Sequence, residues 1–158
     1  MQIKIAYTSS HHHTEEVVEK VRSLLEKQHD ATVSVSTLND LDIESLNTNR
    51  AKVLFIIPSY KEVPKNGKQF FETLRDVSST GSLPRVVHSI IGIGNSDYMG
   101  EHGENYQQLA RELEFLLNRA GSPTASPKAE LDTKEEDQLA GHLQVFVQTF
   151  VSEVKKLQ

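Results

Sequence analysis

Three consecutive histidines lie between a β-like run and a helical pattern in the stretch "IAYTSSHHHTEEVVEKV", residues 5–21. Histidines at such a point could ligate a metal ion, carry a catalytic proton or border an anion. A zinc site needs three or four protein ligands, and only His11 and His13 of an extended triplet could face one ion. His88 and His102 are distant in the sequence, so the spacing disfavours a metal site.

Acid–base catalysis would need a partnered carboxylate, and nothing in the sequence fixes an acid beside the triplet. An anion site needs no additional residue, because imidazole donates an N–H and adds positive charge when protonated. Ser9, Ser10 and Thr14 add hydroxyl donors next to a helix start, where backbone N–H groups and the helix dipole hold phosphates without Lys or Arg. The loop favours an anion, although a ligand-free Ser/Thr-rich helix cap would show the same residues, and we assign no catalytic or metal-binding residue.

The composition is that of a globular protein with one domain, residues 1–158, since 25% of the residues are charged and 37% are hydrophobic. No apolar run approaches the ~20 residues of a membrane span, and no signal peptide is visible, so we expect a cytoplasmic protein. The absence of cysteine excludes disulfides and thiolate chemistry. A net charge of −5 argues against nucleic-acid binding and suits docking to basic protein surfaces.

Strand-like and helix-like patterns alternate along the chain, which predicts a doubly wound α/β sheet with helices on both faces. Thr14 is the expected N-cap of the first helix. The predicted strands cover residues 2–7, 32–37, 52–57 and 85–94, with a weaker fifth strand near "KAELD". The predicted helices cover residues 14–28, 66–78, 104–120 and 134–157.

Ligands of such sheets bind beyond the carboxyl ends of the strands, where the strand order reverses. That rule selects the loops 8–14, 58–65 and 94–103. Tyr60 and Tyr98 could stack on a planar ring there, and Asn95 could exchange hydrogen bonds with a pyrimidine-like edge.

The three loops resemble the ligand-binding loops of the flavodoxin family. The first, "YTSSHHHTE", is similar to the family's phosphate loop, "PSYKEVPKN" to its second loop, and "GIGNSDY" to its third. The resemblance implies a flavodoxin-like parallel sheet of five strands in the order 2-1-3-4-5 and a bound flavin mononucleotide (FMN). It also implies electron transfer between redox partner proteins. The cofactor-binding residues that it implies are Ser9, Ser10, His11, His12, His13, Thr14, Pro58, Ser59, Tyr60, Lys61, Gly94, Asn95, Asp97 and Tyr98.

Two departures from the family pattern concern the cofactor directly. The triplet replaces the usual Thr-Gly-Asn of the phosphate loop, and Lys61 replaces a glycine of the second loop. A peptide at that second position turns toward the flavin during reduction in flavodoxins, and a lysine there would pay on the order of 1 kcal/mol or more for the turn.

Two other functions remain open on the sequence. One is a flavodoxin-like activator of class Ib ribonucleotide reductase, whose loop is partly echoed by "GNSDYMG". The other is a flavin-free binding module that keeps the fold and uses the altered loops for a protein or another phosphorylated ligand.

Overall fold

Five parallel strands form one sheet in the order 2-1-3-4-5, which confirms the predicted fold class. The computed structural model describes residues 1–10, 12–59, 62–95 and 107–157, with the backbone alone for His12. The strands are β1 (Gln2–Tyr7), β2 (Thr32–Thr37), β3 (Lys52–Pro58), β4 (Val87–Gly94) and β5 (Ala129–Asp132). The weak fifth strand of the sequence is therefore real, and it pairs with β4.

The helices agree with the predicted order but differ at their starts. They are α1 (His12–His29), α2 (Ile43–Thr48), α3 (Lys68–Ser78), α4 (Gln108–Arg119) and α5 (Glu136–Lys156). The prediction that Thr14 caps α1 was wrong, because the helix already begins at His12 and Thr14 is buried in its first turn. Asp132 accepts a hydrogen bond from the Lys134 backbone N–H and starts a 3₁₀ turn, which delays α5 to residue 136.

Apolar residues of β3 alternate between two cores, which explains its unbroken hydrophobic run. Leu54 and Ile56 pack with α1 and α5, whereas Val53, Phe55 and Ile57 pack with α3 and α4. The sheet is therefore covered by helices on both faces, as the sequence predicted.

The short helix α2 was not predicted. Its N-cap is Asp42, whose carboxylate accepts hydrogen bonds from the backbone N–H groups of Glu44 and Ser45. Ile43 and Leu46 are its buried side chains, too few for a clear helical periodicity. Within the described residues, no helix is long and apolar enough to cross a membrane.

Candidate functional site at the carboxyl edge of the sheet

The three candidate loops leave from adjacent strands at one edge of the sheet. The register pairs Tyr7 of β1 with Ile56 of β3, and Pro58 of β3 with Ile93 of β4. Neighbouring strands lie about 4.8 Å apart, so the ends of β1 and β4 are roughly 10 Å apart across β3. Because the strand order reverses between β1 and β3, the strand ends from which these loops start border the crevice where doubly wound sheets bind ligands.

The first loop is held by the side chain of Asn66. The buried Thr8 hydroxyl donates to Asn66 Oδ1 at 2.5 Å, and the backbone N–H of Ser9 donates to the same oxygen at 3.1 Å. The Ser9 N–H is therefore occupied within the protein. An anion at this loop would have to use the hydroxyls and the N–H groups of the α1 start.

Asn66 is in turn positioned by Asn39, which follows β2. The backbone N–H of Asn39 donates to the Asn66 carbonyl at 2.9 Å, and its side chain donates to the Lys65 carbonyl at 2.9 Å. The Asn39 side-chain oxygen also accepts from the backbone N–H of Phe70 at 3.1 Å, inside the first turn of α3. One asparagine thus fixes the segment before α3 and the start of that helix.

Gly67 allows this segment to lie against the first loop. A Cβ atom at position 67 would lie 2.5 Å from Thr8 Oγ1 and 2.8 Å from Thr8 Cβ, closer than such atoms can approach. The sequence assigned residues 66–78 to a helix and so missed the roles of Asn66 and Gly67. An Asn-Gly pair before a helical pattern is a turn signal that could have shown them.

The start of α1 presents a mixture of donors and carboxylates. Ser10 is exposed, and His13 in the first turn is exposed as well, whereas Thr14 is only 2% exposed. The Ser9 hydroxyl donates to Glu15 Oε1 at 3.4 Å, a long contact at the surface. The structure therefore leaves Ser9 and Ser10 near the helix start and turns Thr14 into the protein.

The second loop is bonded to Gln107, which precedes α4. The backbone N–H of Gln107 donates to the hydroxyl of Ser59 at 2.5 Å. Ser59 directly follows the buried Pro58 at the end of β3. Gly94 ends β4 and is buried, and Asn95 follows it half-buried. Pro58, Ser59, Gly94 and Asn95 thus lie at the carboxyl edge, as the sequence predicted for these positions.

The side chain of Gln107 is fully buried and bridges β4 and β5. Its Nε2 donates to the carbonyls of Gly92 and Leu131 at 3.2 Å each, while no described residue bonds its Oε1. A Cβ atom on Gly92 would clash with Oε1, so glycine is required beneath this side chain. The sequence reasoning missed Gln107, and the glycine inside the apolar run "IIGIG" was the available signal.

Carboxylates surround this edge. Burial raises the pKa of the Tyr7 phenol at the end of β1, and the negative charges of Glu15, Asp40 and Glu19 raise it further. A bound anion here would rely on hydrogen bonds and the helix start for its stabilisation, since the described part of the first loop has no Lys or Arg.

Some predicted site residues lie outside the described residues. These are His11, Tyr60, Lys61, Asp97 and Tyr98, together with His102 and most of the segment that echoes the reductase activator. In the described part of the chain, no group of three or more His, Asp or Glu side chains could hold a metal ion.

Sheet order, loop placement and the helix start define the class of this protein, a doubly wound α/β domain with a candidate anion site at its topological switch point. The profile of the flavodoxin family matches residues 5–143, so the chain belongs to the flavodoxin family. This result confirms the family resemblance that the three loop motifs predicted.

Solved flavodoxins share the fold at low sequence identity. Flavodoxin 2 of Bacillus cereus is 20% identical with a TM-score of 0.75, and the alignment covers 97% of this chain and 99% of that one. The flavodoxin of Streptococcus pneumoniae TIGR4 is 20% identical with a TM-score of 0.76 and the same coverage. The FMN-bound flavodoxin of Fusobacterium nucleatum is 16% identical with a TM-score of 0.70, covering 98% and 97%. No curated protein matches the chain.

Proposed function

We propose that this protein binds FMN non-covalently at the carboxyl edge of its sheet and shuttles electrons between cytoplasmic redox proteins. The family assignment supports FMN as the cofactor, and a flavodoxin of the same fold carries it in a solved structure. When bound, the flavin supplies the redox chemistry, and the protein supplies binding, orientation and electrostatics.

The observation that carries the proposal is that β1, β3 and β4, which lead into the three candidate loops, end side by side next to the β1–β3 switch point. The first loop brings Ser9 and Ser10 to the N-terminus of α1, an 18-residue helix whose first N–H groups have no acceptors in the helix itself. The donor set therefore fits a phosphate monoester, and the buried Gly94 leaves room for a ring to approach the end of β4.

Each part of the proposed site has a separate role. Asn66 and Gly67 hold the first loop in place through Thr8 and Ser9. Ser59 and Gln107 fix the second loop relative to α4. Tyr60 and Tyr98 are proposed to shield the two faces of the flavin ring.

The carboxylates near this edge support a docking role. Glu15, Glu19 and Asp40 lie close enough to Tyr7 to affect its pKa, and the whole chain carries a net charge of −5. Partners with basic docking surfaces would be attracted electrostatically, at rates that fall with added salt.

The phosphate site is tested by comparing FMN with riboflavin in fluorescence titrations of the purified protein. FMN should bind far more tightly, because riboflavin lacks the group that the α1 start holds. Ser10→Ala should weaken the binding of FMN by about 1.5–3 kcal/mol, the range for hydrogen bonds to charged groups. The affinity for riboflavin should not change. Equal affinities for the two flavins would show that the first loop holds no phosphate. A protein that binds neither flavin would support the flavin-free binding module.

The ring site is tested by Tyr98→Ala. Bound flavin should lose most of its fluorescence in the unaltered protein through stacking, and the variant should restore fluorescence and weaken binding. Unchanged quenching and affinity would show that the third loop is assigned wrongly. Reduction of the bound flavin by a flavodoxin reductase, and its reoxidation by a second redox protein, would test the carrier role directly.

A further inference from the structure

The amino edge of the sheet carries a polar groove of about 620 Å³, at the end opposite the candidate flavin site. This volume lies within the range of small-molecule sites. The groove is formed by the starts of β1, β2 and β3 and by the turn after α2. Its polar lining includes Lys4, Thr32, Ser34, Asn49, Arg50 and Lys52.

The charge of this groove is opposite to that of the chain. Three of its lining residues are cations, and none of the lining residues is Asp or Glu within the described part of the chain. The whole sequence has 22 acidic and 17 basic residues. A local excess of positive charge is therefore not what the composition alone would produce.

Two lysines that line the groove differ from a third half-buried lysine in their ion pairing. Lys4, Lys52 and Lys128 are the half-buried lysines among the described residues. Lys128 lies 3.2 Å from Glu114 and 3.8 Å from Glu130, whereas no described carboxylate lies within 4.0 Å of Lys4 or Lys52. Charges that are shielded from water favour a partner of opposite sign, so an external anion is a suitable partner for Lys4 in the groove.

Hydroxyl groups lie beside Lys4 on one face of the sheet, whereas Lys52, the neighbour of Val53 in β3, belongs to the other face. The register places Lys4 next to Ser34 and Gln2 next to Thr32, and residues paired in this way on parallel strands face the same side. The opposite side of β2 carries Val33 and Val35, which pack against the first core. Between Thr32 and Val35 the outer strand is thus polar on the groove side and apolar on the other.

Arg50 occupies a backbone position that suits glycine or asparagine better. Its φ is 53°, in the left-handed region, where it follows the C-terminus of α2. The Ala51 N–H donates to the Leu46 carbonyl and closes the end of this helix. The arginine side chain is therefore present despite an unfavourable backbone conformation, which points to a role for the guanidinium.

We propose that this groove is a second ligand site, which binds the phosphate group of a small phosphorylated molecule through Arg50 and Lys4. Arg50 provides a planar fork for two phosphate oxygens, Lys4 provides charge, and Thr32 and Ser34 provide hydroxyl donors. The strands separate the groove from the loops at residues 9–14 by about 20 Å, so both sites can be filled together. The inference does not depend on flavin binding.

The test is an NMR titration of isotope-labelled protein, saturated with FMN, with inorganic phosphate and inorganic pyrophosphate at constant ionic strength. We expect the backbone amide signals of residues 2–4, 32–34 and 49–52 to change their chemical shifts and to reach a plateau as the ligand is added. Tighter binding of pyrophosphate would identify a diphosphate as the preferred group, and tighter binding of phosphate a monoester. Arg50→Gly suits the backbone of its position, and it should weaken binding about tenfold, as should Lys4→Gln.

A matched control is Lys20→Gln, which removes one exposed cation from α1 on the other side of the sheet. It should leave the affinity within about twofold, since exposed charges act weakly at a distance. Shifts that rise linearly without saturation, shifts confined to residues 9–14, or equal losses in all three variants would overturn the proposal. If FMN fails to bind, the same titration without flavin still tests the groove, because the Arg50 and Lys4 variants report on it alone.

Discussion

Buried polar groups are treated differently at the two ends of β4. At the amino end, His88 is 1% exposed, and its Nδ1 lies 2.7 Å from the Ser122 hydroxyl, which itself donates to the Val86 carbonyl at 2.6 Å. At the carboxyl end, Gln107 is fully buried and its Oε1 has no bonding partner among the described residues. The hydrogen bonds of His88 are thus all made within the protein. The side-chain oxygen of Gln107, beside the candidate site, has no acceptor role toward any described residue.

The same contrast holds for the surrounding backbone. Near the amino end, the backbone of His88 is bonded on both sides to the segment after α4, through Pro123 and Ala125. Near the carboxyl end, Gln107 adopts a left-handed conformation, with φ of 59°, to enter α4. The amino end is thus fully hydrogen-bonded, while the carboxyl end, where ligands of this fold bind, has a strained backbone and an oxygen that no described residue bonds.

The largest effect that we expect tests the amino end by acidification. Burial lowers the pKa of His88 to about 4, so the unfolded chain binds its proton at a higher pH than the folded chain does. Its contribution to stability is complete above the unfolded value near pH 6.5 and is lost as the pH falls toward 4. The loss should be at most about 3 kcal/mol, measured by urea unfolding at several pH values.

His88→Asn is the matched variant for this measurement, because its amide can still donate to the Ser122 hydroxyl. The free energy of unfolding of the variant should change less between pH 6.5 and 4 than that of the unaltered protein. Parallel curves for the two proteins would show that His88 does not titrate as its burial implies.

A smaller effect is expected at the carboxyl end from Gly67→Ala. The added Cβ would meet the Thr8 side chain at 2.5 Å, and such overpacking costs about 1–3 kcal/mol of stability. FMN affinity should fall as well, because the first loop must move. Gly141→Ala on α5 is the control, since nothing lies within 4 Å of its Cβ position, and it should raise stability by about 0.5–1 kcal/mol.

Asn66→Ala should cost about 1–2 kcal/mol of stability, because it leaves the buried Thr8 hydroxyl and the Ser9 N–H without their common acceptor. Its FMN affinity should fall while riboflavin binding changes little, since the phosphate loop is the part released. Equal weakening of both flavins would place the effect of Asn66 outside that loop.

The smallest effect concerns the groove at the amino edge. Arg50→Gly removes a non-glycine residue from the left-handed region and should raise the free energy of unfolding by about 0.5–1 kcal/mol. Thermal unfolding without added phosphate checks this. A destabilised variant would show that the Arg50 side chain already makes contacts within the protein that favour its position.

Most of the fold could be predicted because its signals are periodic and local. The runs that form β1, β3 and β4, and the apolar stripes of α3 and α4, are long enough to identify without a structure. The six-residue helix α2 was missed because two buried side chains define no period. The start of α1 was misplaced because Thr14 is a typical capping residue but lies inside the first turn.

The candidate site divides in the same way. Ser9, Ser10, Ser59, Gly94 and Asn95 could be proposed from the sequence because they end or closely follow strands, where ligands of a doubly wound sheet bind. Asn39, Asn66 and Gln107 were missed because their partners are distant in the sequence, 31 residues away from Asn39 to Phe70 and 48 from Gln107 to Ser59. No local pattern encodes such pairs.

The sequence by itself determined the order of strands and helices along the chain, the family, and which loops are candidates for the site, because each depends on residue types in contiguous segments. Only the tertiary structure decided that Asn66 holds the first loop, that Gln107 spans β4 and β5, and that Lys4, Arg50 and Lys52 line one groove. The physical reason is that hydrogen bonds and charge pairing depend on distances of a few ångströms between groups, and strand pairing and packing alone set those distances.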